Sequence, residues 1–561
     1  MENNKIAIIV TSFVLMCVVI FGGITLTRNI GKSTKTVNKE DAITHLNKMV
    51  KEIEPEAGQV YSSAVEYSDV DTTAQELPPI DTCPVNVDAD SELYVEIYAT
   101  SEKAGTGTDG WLCDMAKSFN DADYAINGIP VSVQIRCVSS GTAMDYIRTG
   151  IAVPDGYSPS NELWVSMLNS YGFETETITD SLVKNVAGIV IKNDINKKII
   201  DEYGSIDLKT ITEAVTDNKL TMGYTNPFTS ASGLNFLVCT LQRYDDSNLL
   251  SETAQNGFSS FQNNIPFVSL TTTQMRTAAD NGTLDGFIME YQTYINDSVL
   301  SKNYTFTPYG YRHDNPLVIP KNLSSDKKEI IKMFADFCKS ADNQKIATDM
   351  GFNSFSDYIC EYSSVSGDEL VAAQKFYKEN KNNGQSVACV FIADVSGSME
   401  GDAITALQDS LINSMQYINS DNYIGLVSYS SDVTIEVPLA KFDLTQQSKF
   451  KGSIEHLSAG GSTATFDAIC VGLDMLEKQL EQDPNVKPLL FVLSDGETNV
   501  GYSLKESSVV IEGLKIPVYT IGYNADLDAL KSISAITEAA TIDASNDDIV
   551  YQLKQMFNAE L

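Results

Sequence analysis

The sequence holds few of the residues that catalysis and zinc binding usually require. It has three histidines, His45, His313 and His456, and none of its nine cysteines stands in C-x-x-C spacing. It also lacks the G-x-S-x-G, H-E-x-x-H and phosphate-binding lysine motifs. Zinc sites and histidine-based catalytic groups are therefore not expected, and we predict that the protein is not an enzyme.

Positive charge is also scarce. The chain has 39 Lys and Arg against 75 Asp and Glu, a formal net charge of -36. Polyanions repel such a surface, so nucleic acid and anionic lipid are not expected as partners. With 561 residues, 43% of them hydrophobic, the chain is long enough for two or three globular domains with cores of their own.

One uncharged apolar run, residues 6–26, is long enough to cross a membrane. A cleaved export signal is the alternative, but it would have a shorter apolar core and a small-x-small cleavage site. We predict an uncleaved, single-pass membrane anchor. More positive charges follow the run, from Arg28 to Lys39, than precede it at Lys5, and this bias favours an inward-facing chain. Since that rule governs short loops, long domains are not bound by it.

The segment VACVFIADVSGSME, residues 387–400, is a buried-strand pattern that ends in polar residues. Asp394, Ser396 and Ser398 follow at alternate positions and place a carboxylate and two hydroxyls near one point. Such hard oxygen ligands suit a cation such as Mg2+. The same residues suit a strand-to-helix turn without any ion, so the motif alone leaves both interpretations open.

Two later loops favour the metal. Residues 459–469 form a glycine turn that carries Thr463, and residues 487–501 are a second buried-strand pattern that runs into Asp495. Because open α/β sheets bind ligands at the carboxyl ends of their strands, the three loops are expected to meet at one edge of a parallel sheet. The predicted site comprises Asp394, Ser396, Ser398, Thr463 and Asp495.

With these motifs, residues 387–561 resemble a von Willebrand factor A domain with a complete metal-ion-dependent adhesion site. The resemblance implies a doubly wound, Rossmann-like α/β fold. It also implies that Ser396, Ser398 and Thr463 are direct ligands, while Asp394 and Asp495 act mostly through water or hydroxyl contacts. The implied ion is Mg2+, or another divalent cation such as Mn2+ or Ca2+. A carboxylate from a partner protein would complete its coordination.

Residues 91–365 form a second large unit whose strand-ending loops repeatedly carry hydroxyl residues and glycine. Such residues at helix starts suit an anion or a polar solute, although ordinary helix capping explains each loop taken alone. The candidate ligand-binding residues are Ser101, Ser139, Ser140, Gly141, Thr142, Ser158, Ser160, Thr229, Ser230 and Ser232.

As a set, with the stretches TNPFTSASGLNFL and PDGYSPSNELWVSM, this unit resembles the extracellular solute-binding proteins of bacterial ABC importers. The resemblance implies a two-lobed, type 2 periplasmic-binding-protein-like fold with a cleft for a small polar or anionic solute. Residues 309–320 fit the return crossing between the lobes. We expect a spacer over residues 31–90, which are acidic and marked by proline, and a linker over residues 366–386.

As a whole, the chain resembles bacterial proteins that combine a substrate-binding domain with a von Willebrand factor A domain. We therefore expect a protein of the cell membrane with most of its chain outside the cell. Its expected function is to bind an acidic protein ligand through a divalent cation. The alternative is a solute-binding receptor that serves an ABC importer.

Overall fold

The computed structural model describes residues 38–65, 73–265, 268–269, 284–382, 385–496, 498–523, 533–534 and 541–543, together with Leu553, Met556, Phe557 and Leu561. The predicted membrane anchor, residues 6–26, lies outside these residues. Within the described ranges, no helix is both long enough and apolar enough to cross a membrane.

The C-terminal domain is built on a seven-stranded sheet that is parallel except for one antiparallel pair. In spatial order its strands are Glu56–Ala57, Val433–Lys441, Tyr423–Tyr429, Val387–Asp394, Lys487–Ser494, Val518–Gly522 and Thr541–Asp543. Its helices are Asp402–Ser414, Leu444–Glu455, Thr465–Gln482 and Leu504–Leu514, with short 3-10 turns at Gly397–Met399 and Met415–Tyr417.

The central strand Val387–Asp394 shows why this sheet is covered on both faces. All eight of its residues are buried. Cys389 and Phe391 belong to one core cluster, whereas Val390 and Ile392 belong to another. Since successive side chains of a strand point to opposite faces, each face packs against its own layer of helices. The predicted doubly wound architecture is present.

The predicted spacer, residues 31–90, differs from the structure over much of its described length. Helix Lys39–Ile53 packs against helices Thr465–Gln482 and Leu504–Leu514 of the C-terminal domain. It buries Ala42, Leu46 and Met49, whose spacing places them on one helical face. Strand Glu56–Ala57 then pairs in parallel with strand Val433–Lys441 at the sheet edge. This part of the chain is a structural element of the C-terminal domain.

The first lobe of the central region contains a seven-stranded sheet. Its strands are, in order, Val85–Val87, Ile129–Cys137, Leu93–Ala99, Gly156–Ser158, Leu317–Pro320 and Thr175–Thr179, with Ala125–Ile126 paired to Ile129–Cys137. Its helices are Thr73–Glu76, Ser101–Ala104, Trp111–Asn120, Ser140–Thr149, Glu162–Ser170, Ser325–Cys338 and Ala341–Asp349. Short 3-10 turns lie at Ile80–Thr82 and Gly107–Asp109. Strand Val85–Val87 lies within the predicted spacer and belongs to this lobe.

The second lobe contains a five-stranded sheet in the order Val268–Ser269, Met222–Thr225, Gly286–Glu290, Val186–Lys192 and Tyr304–Arg312. Its helices are Asn193–Tyr203, Leu208–Thr216, Ala231–Tyr244, Glu252–Gln262, Tyr291–Asn296 and Leu300–Asn303. The chain enters this lobe after Thr179 and returns to the first lobe between Arg312 and Leu317. The return crossing therefore lies inside the predicted segment 309–320.

The predicted linker, residues 366–386, is also largely structured. Helix Gly367–Asn380 packs against helix Glu162–Ser170 of the first lobe and helix Ala231–Tyr244 of the second. Gln374 donates from Nε2 to the carbonyl oxygen of Pro227 at 2.7 Å. The helix thus spans both lobes, and only the residues after Asn380 connect it to strand Val387–Asp394.

Candidate functional site

The first candidate site lies at the carboxyl edge of the C-terminal sheet and is centred on Asp394. The Asp394 carboxylate is fully buried at the end of its strand. Its Oδ1 accepts from the backbone N–H of Ser396 at 2.8 Å. Its Oδ2 accepts from the hydroxyls of Ser494 at 2.6 Å and Tyr429 at 3.2 Å. Three donors therefore hold this carboxylate in one orientation.

The neighbouring hydroxyls connect Asp394 to the second predicted carboxylate. Ser396 Oγ lies 3.0 Å from Ser398 Oγ, and Ser398 Oγ donates to Asp495 Oδ1 at 2.8 Å. Asp495 directly follows strand Lys487–Ser494, which pairs in parallel with Val387–Asp394. The parallel register therefore brings two loops that are far apart in sequence to the same edge of the sheet.

The third predicted loop, which carries Thr463, joins the site through its backbone. Gly397 N–H donates to the carbonyl of Gly461 at 3.0 Å. Gly461 has φ +90, and an added Cβ would lie 3.1 Å from the hydroxyl oxygens of Ser430 and Ser431, so glycine suits both the conformation and the space. The Thr463 side chain is nearly buried, and its Oγ1 lies 3.5 Å from Asn499 Nδ2.

Four of the five predicted residues thus form a continuous chain of hydrogen bonds, while Thr463 is held beside them by its loop. Ser494, Tyr429 and Asn499 were not predicted. Ser494 sits at the strand end just before Asp495, and that position is the one sequence signal that points to it.

The charge in this site is poorly compensated by the protein itself. Burial raises the pKa of Asp495, the Asp394 charge adds to the rise, and the Ser398 hydrogen bond opposes it. In the part of the chain that the structure describes, no group of three or more His, Cys, Asp or Glu side chains is placed to hold a metal ion, so any ion at this site would depend on the hydroxyl oxygens. The donor set is two carboxylates and three hydroxyls, which fits a hard divalent cation.

The spacing of the oxygens is also compatible with such an ion. Ligands about 2.1 Å from Mg2+ at adjacent corners of an octahedron are roughly 3.0 Å apart. The hydroxyl oxygens of Ser396 and Ser398, which are 3.0 Å apart, have this spacing. Hydroxyl hydrogen bonds have the same spacing, so these oxygens require little rearrangement to bind the ion.

The second candidate site is a cavity of about 50 Å3 between the two lobes. Its wall comprises Thr100, Ser101, Glu102, Ser139, Ser140, Ser160, Thr229, Ser230, Ala231 and Glu290. Six of the ten predicted ligand-binding residues are among them. Since they come from loops of both lobes, the structure brings together residues that lie more than a hundred positions apart in sequence.

The other four predicted residues lie near the cavity but do not form its wall. Thr142 lies in the first turn of helix Ser140–Thr149, where its N–H donates to the Oγ of the N-cap residue Ser139 at 3.4 Å. Gly141 N–H donates to the carbonyl of Thr229 in the other lobe at 3.1 Å. Ser232 Oγ lies 3.4 Å from Glu290 Oε1. Ser158 is fully buried, and its hydroxyl has no hydrogen-bond partner.

A glycine is required where the two lobes meet. A Cβ added at Gly141 would lie 2.1 Å from the carbonyl oxygen of Phe228 and 2.8 Å from Thr229 Cα. Both atoms are backbone atoms of the second lobe, so they cannot move aside as a flexible side chain would. Any larger residue at this position therefore pushes the lobes apart.

Four ionisable residues at the cavity were not predicted. Glu102 accepts from Ser160 Oγ at 2.7 Å and pairs with Lys103 Nζ at 3.3 Å. Glu290 pairs with His313 Nδ1 at 2.8 Å. The sequence places Glu102 and Lys103 beside Ser101, in an ordinary first helical turn. Glu290 and His313 come from a strand end and a lobe crossing, so only the fold reveals that they are neighbours.

Comparison with known proteins supports the two-domain organisation. Residues 104–353 match the family of bacterial extracellular solute-binding proteins, and residues 389–558 match the von Willebrand factor type A domain. Inter-alpha-trypsin inhibitor heavy chain H3 from Bos taurus is 31% identical over 150 residues. That match covers 25% of this chain, and the chain spans 16% of the relative's length.

Solved structures resemble each part separately. The periplasmic thiamin binding protein has a TM-score of 0.39 at 13% identity and covers 51% of this chain and 95% of its own. The von Willebrand factor type A protein from Catenulispora acidiphila has a TM-score of 0.29 at 15% identity and covers 31% and 42%. The two family matches show that the chain joins an extracellular solute-binding domain to a von Willebrand factor type A (VWA) domain.

Proposed function

We propose that the protein is a membrane-anchored binding protein that faces outward and holds an acidic protein ligand through a divalent cation on its VWA domain. Mg2+ is the first candidate for the ion, with Mn2+ and Ca2+ as alternatives. The proposed location is the cell membrane, with a single span at residues 6–26, and no catalytic activity is proposed. The observation that carries this function is the oxygen cluster of Asp394, Ser396, Ser398 and Asp495.

The residues of this cluster divide into two roles. Ser396, Ser398 and Thr463 supply hydroxyl oxygens that would bind the ion directly. Asp394 is fully buried and held by Ser494 and Tyr429, so it orients the Ser396 loop and contributes negative charge from beneath. Asp495 is less buried and accepts from Ser398, which fixes that hydroxyl in place.

The bound ion would supply an electrophilic centre with a coordination position for an oxygen from outside the protein. Two carboxylates balance the charge of a divalent cation, so the site with its ion would be formally neutral. An anionic ligand from outside could then bind the ion without repulsion from excess negative charge. A partner's Asp or Glu has the hard oxygen and the charge that such a position favours. Binding to that partner should therefore depend on the ion.

The test is calorimetry of the full chain with Mg2+ and Mn2+, comparing the parent with a Ser396→Ala/Ser398→Ala variant. Two direct ligands are lost, so we expect binding at this site to disappear. A matched control is Ser420→Ala/Ser508→Ala, which removes two hydroxyls of the same domain away from the site. Unchanged affinity in the first variant would refute the proposed centre.

Capture of a protein partner is the second half of this test. The parent and the Ser398→Ala variant are used to pull down proteins from the native envelope, each with Mg2+ or with a chelator. Ser398 is preferred to Asp394 because replacing the buried aspartate would leave the hydroxyls of Ser494 and Tyr429 without their acceptor. A partner retained equally in all four samples would show that the ion plays no part.

A solute receptor that serves an importer is the second candidate function. The cavity between the lobes favours it, because six residues predicted for solute binding form its wall. On this reading the lobes close over a small molecule and exclude water from it. Thermal shift of the full chain with a panel of small solutes tests it, and the two functions can coexist because they use different domains.

A further inference from the structure

The interlobe cavity carries more negative than positive charge. Among the described residues that form its wall, Glu102 and Glu290 are carboxylates and none is a cation. Lys103 lies behind the wall, fully buried, and its Nζ contacts Thr100 Oγ1 at 2.6 Å and Glu102 at 3.3 Å. The cavity wall therefore has two carboxylates, and the Lys103 ammonium group lies behind it.

His313 lies behind the cavity wall, where hydrogen bonds hold its ring. Asn235 Oδ1 accepts from Tyr311 N–H at 3.0 Å, which fixes the amide so that its Nδ2 faces His313 Nε2 at 3.2 Å. Asn161 Nδ2 faces the same ring nitrogen at 3.3 Å. With both amides facing Nε2, the other ring nitrogen, Nδ1, lies against Glu290 at 2.8 Å.

Glu290, in turn, is surrounded by donors. Asn185 Oδ1 accepts from the N–H groups of Val186 and Gln292, so its Nδ2 donates to Glu290 Oε2 at 3.2 Å. The other oxygen accepts from His313, with the Ser232 hydroxyl nearby. Both oxygens of this carboxylate therefore have donors. Burial and the Glu102 charge raise the pKa of Glu290, whereas His313 and Lys103 lower it, so a further cation in the cavity would favour the charged form of Glu290.

Two of the backbone N–H groups that could hold an anion are already used by the protein itself. Two helices of adequate length, Ser140–Thr149 and Ala231–Tyr244, begin at the cavity. Gly141 N–H already donates to Thr229 in the other lobe, and Gly233 N–H lies 3.4 Å from its own cap, Ser230 Oγ. These donors are therefore not available to hold an oxyanion.

A buried amide oxygen without a hydrogen-bond partner also favours a positively charged ligand over an anion. Asn161 is fully buried, and its Oδ1 has no hydrogen-bond partner. Its amide nitrogen lies 3.4 Å from the carbonyl of Ala231, which belongs to the cavity wall. Asn161 lies behind the cavity wall, and an unpartnered carbonyl oxygen there favours a nearby N–H donor or metal ion over an anion.

We propose that the cleft binds a small cation, an organic ammonium or a metal ion, at Glu102 and Glu290. The proposal rests on the second candidate function, that of a solute receptor, and replaces the anionic solute expected from sequence. The cavity of about 50 Å3 holds only a few water molecules, so the ligand is small or the lobes open further to admit it.

The test uses the full chain in the Ser396→Ala/Ser398→Ala background, so that the VWA domain does not respond to metal. Ethylammonium and putrescine represent amines, Mn2+ represents metal ions, acetate and sulfate represent anions, and acetamide is the neutral control. Calorimetry should detect binding of at least one cation and of neither anion. Amines and Mn2+ are tested in separate titrations. The probe that binds shows whether the cleft takes an organic ammonium or a metal ion.

Glu102→Gln and Glu290→Gln should each weaken cation binding by about tenfold or more, since each removes one charged partner. Glu174→Gln, an exposed carboxylate of the first lobe, is the matched control and should leave the affinity unchanged. Fluorescence of Trp111 and Trp164, both buried in the first lobe, checks that each variant is folded.

The possible failures are distinguishable. Binding of acetate or sulfate without any cation would overturn the charge class and leave the receptor function standing. Cation binding that is equal in both glutamine variants would overturn the proposed site. Binding of no probe at all would overturn both this proposal and the receptor function, and would not affect the VWA metal centre.

Discussion

The Leu46→Ala substitution tests whether the segment before the solute-binding domain belongs to the VWA domain. The Leu46 side chain is 1% exposed and lies in the core cluster that includes Ile469, Leu473 and Val510. Leu→Ala substitutions in cores cost about 2–5 kcal/mol, and the cost increases with the cavity that remains. Leu46 packs between a peripheral helix and the outer helical layer, where neighbours can relax, so we expect about 2–3 kcal/mol.

The chain offers a direct way to tell which domain loses this stability. Its two tryptophans, Trp111 and Trp164, both lie in the first lobe of the solute-binding domain. Tryptophan fluorescence therefore reports on that domain, while calorimetry reports on both. Leu46→Ala should lower the calorimetric transition of the VWA domain by about 4–12 °C and leave the fluorescence transition in place.

Asn47→Ala is the matched control, because Asn47 is exposed on the same helix. It should change the free energy of unfolding by less than about 0.5 kcal/mol. A shift of the fluorescence transition alone in Leu46→Ala would place the helix on the other domain. No shift in either signal would show that the helix is not packed at all, and the reasoning would fail.

Further predictions concern the lobes, the pH dependence and the topology. Gly141→Ala should separate the lobes, seen as a larger radius of gyration by X-ray scattering, because the added Cβ meets Phe228 backbone; Gly460→Ala, with nothing within 4 Å, should not. Hydrogen bonds from Ser503 lower the pKa of Glu506 below its ordinary 4.5, so its charge stabilises the folded state above that pH. That contribution disappears as the pH falls through the lowered pKa, and denaturation of Glu506→Gln should show a deficit near pH 7 that vanishes in acid. Protease added to intact cells should degrade the large domains, and full protection would place them inside.

The cluster of oxygen-bearing residues around Asp394 could be predicted from sequence because its signals are local. Asp394 and Asp495 each follow a run of buried β-branched and aliphatic residues, and parallel strands bring such ends together. The roles of Tyr429 and Ser494 could not be predicted in this way. Their positions depend on strand register, which a hydrophobic pattern does not specify between strands buried on both faces.

The predicted spacer was wrong for a different reason. The pattern around Ala42, Leu46 and Met49 indicates an amphipathic helix, but it does not say what covers the apolar face. Its partner helices begin at Thr465 and Leu504, hundreds of residues later. A short amphipathic segment between an anchor and a domain looks like a linker until its partner is known.

The placement of the charged residues in the cleft also could not be predicted from sequence. Glu102 in the first turn of a helix is an ordinary complement to the helix dipole, and Glu290 at a strand end has no distinctive neighbour in sequence. Only lobe contact places them on one cavity wall. The hydroxyl loops were recognised because each carries a visible turn signal, whereas the charge that decides what those hydroxyls can bind is visible only in three dimensions.

The VWA domain is built from two separate stretches of the chain. Helix Lys39–Ile53 and strand Glu56–Ala57 precede the solute-binding domain but complete the VWA domain that follows it. The solute-binding domain is therefore inserted, with both of its connections leading to the VWA domain. A span at residues 6–26 would tether the chain immediately before Lys39–Ile53, so tension on the anchor would act on the VWA domain first. The proposed metal centre, rather than the solute cleft, would then lie in the domain that is nearer to the membrane span along the chain.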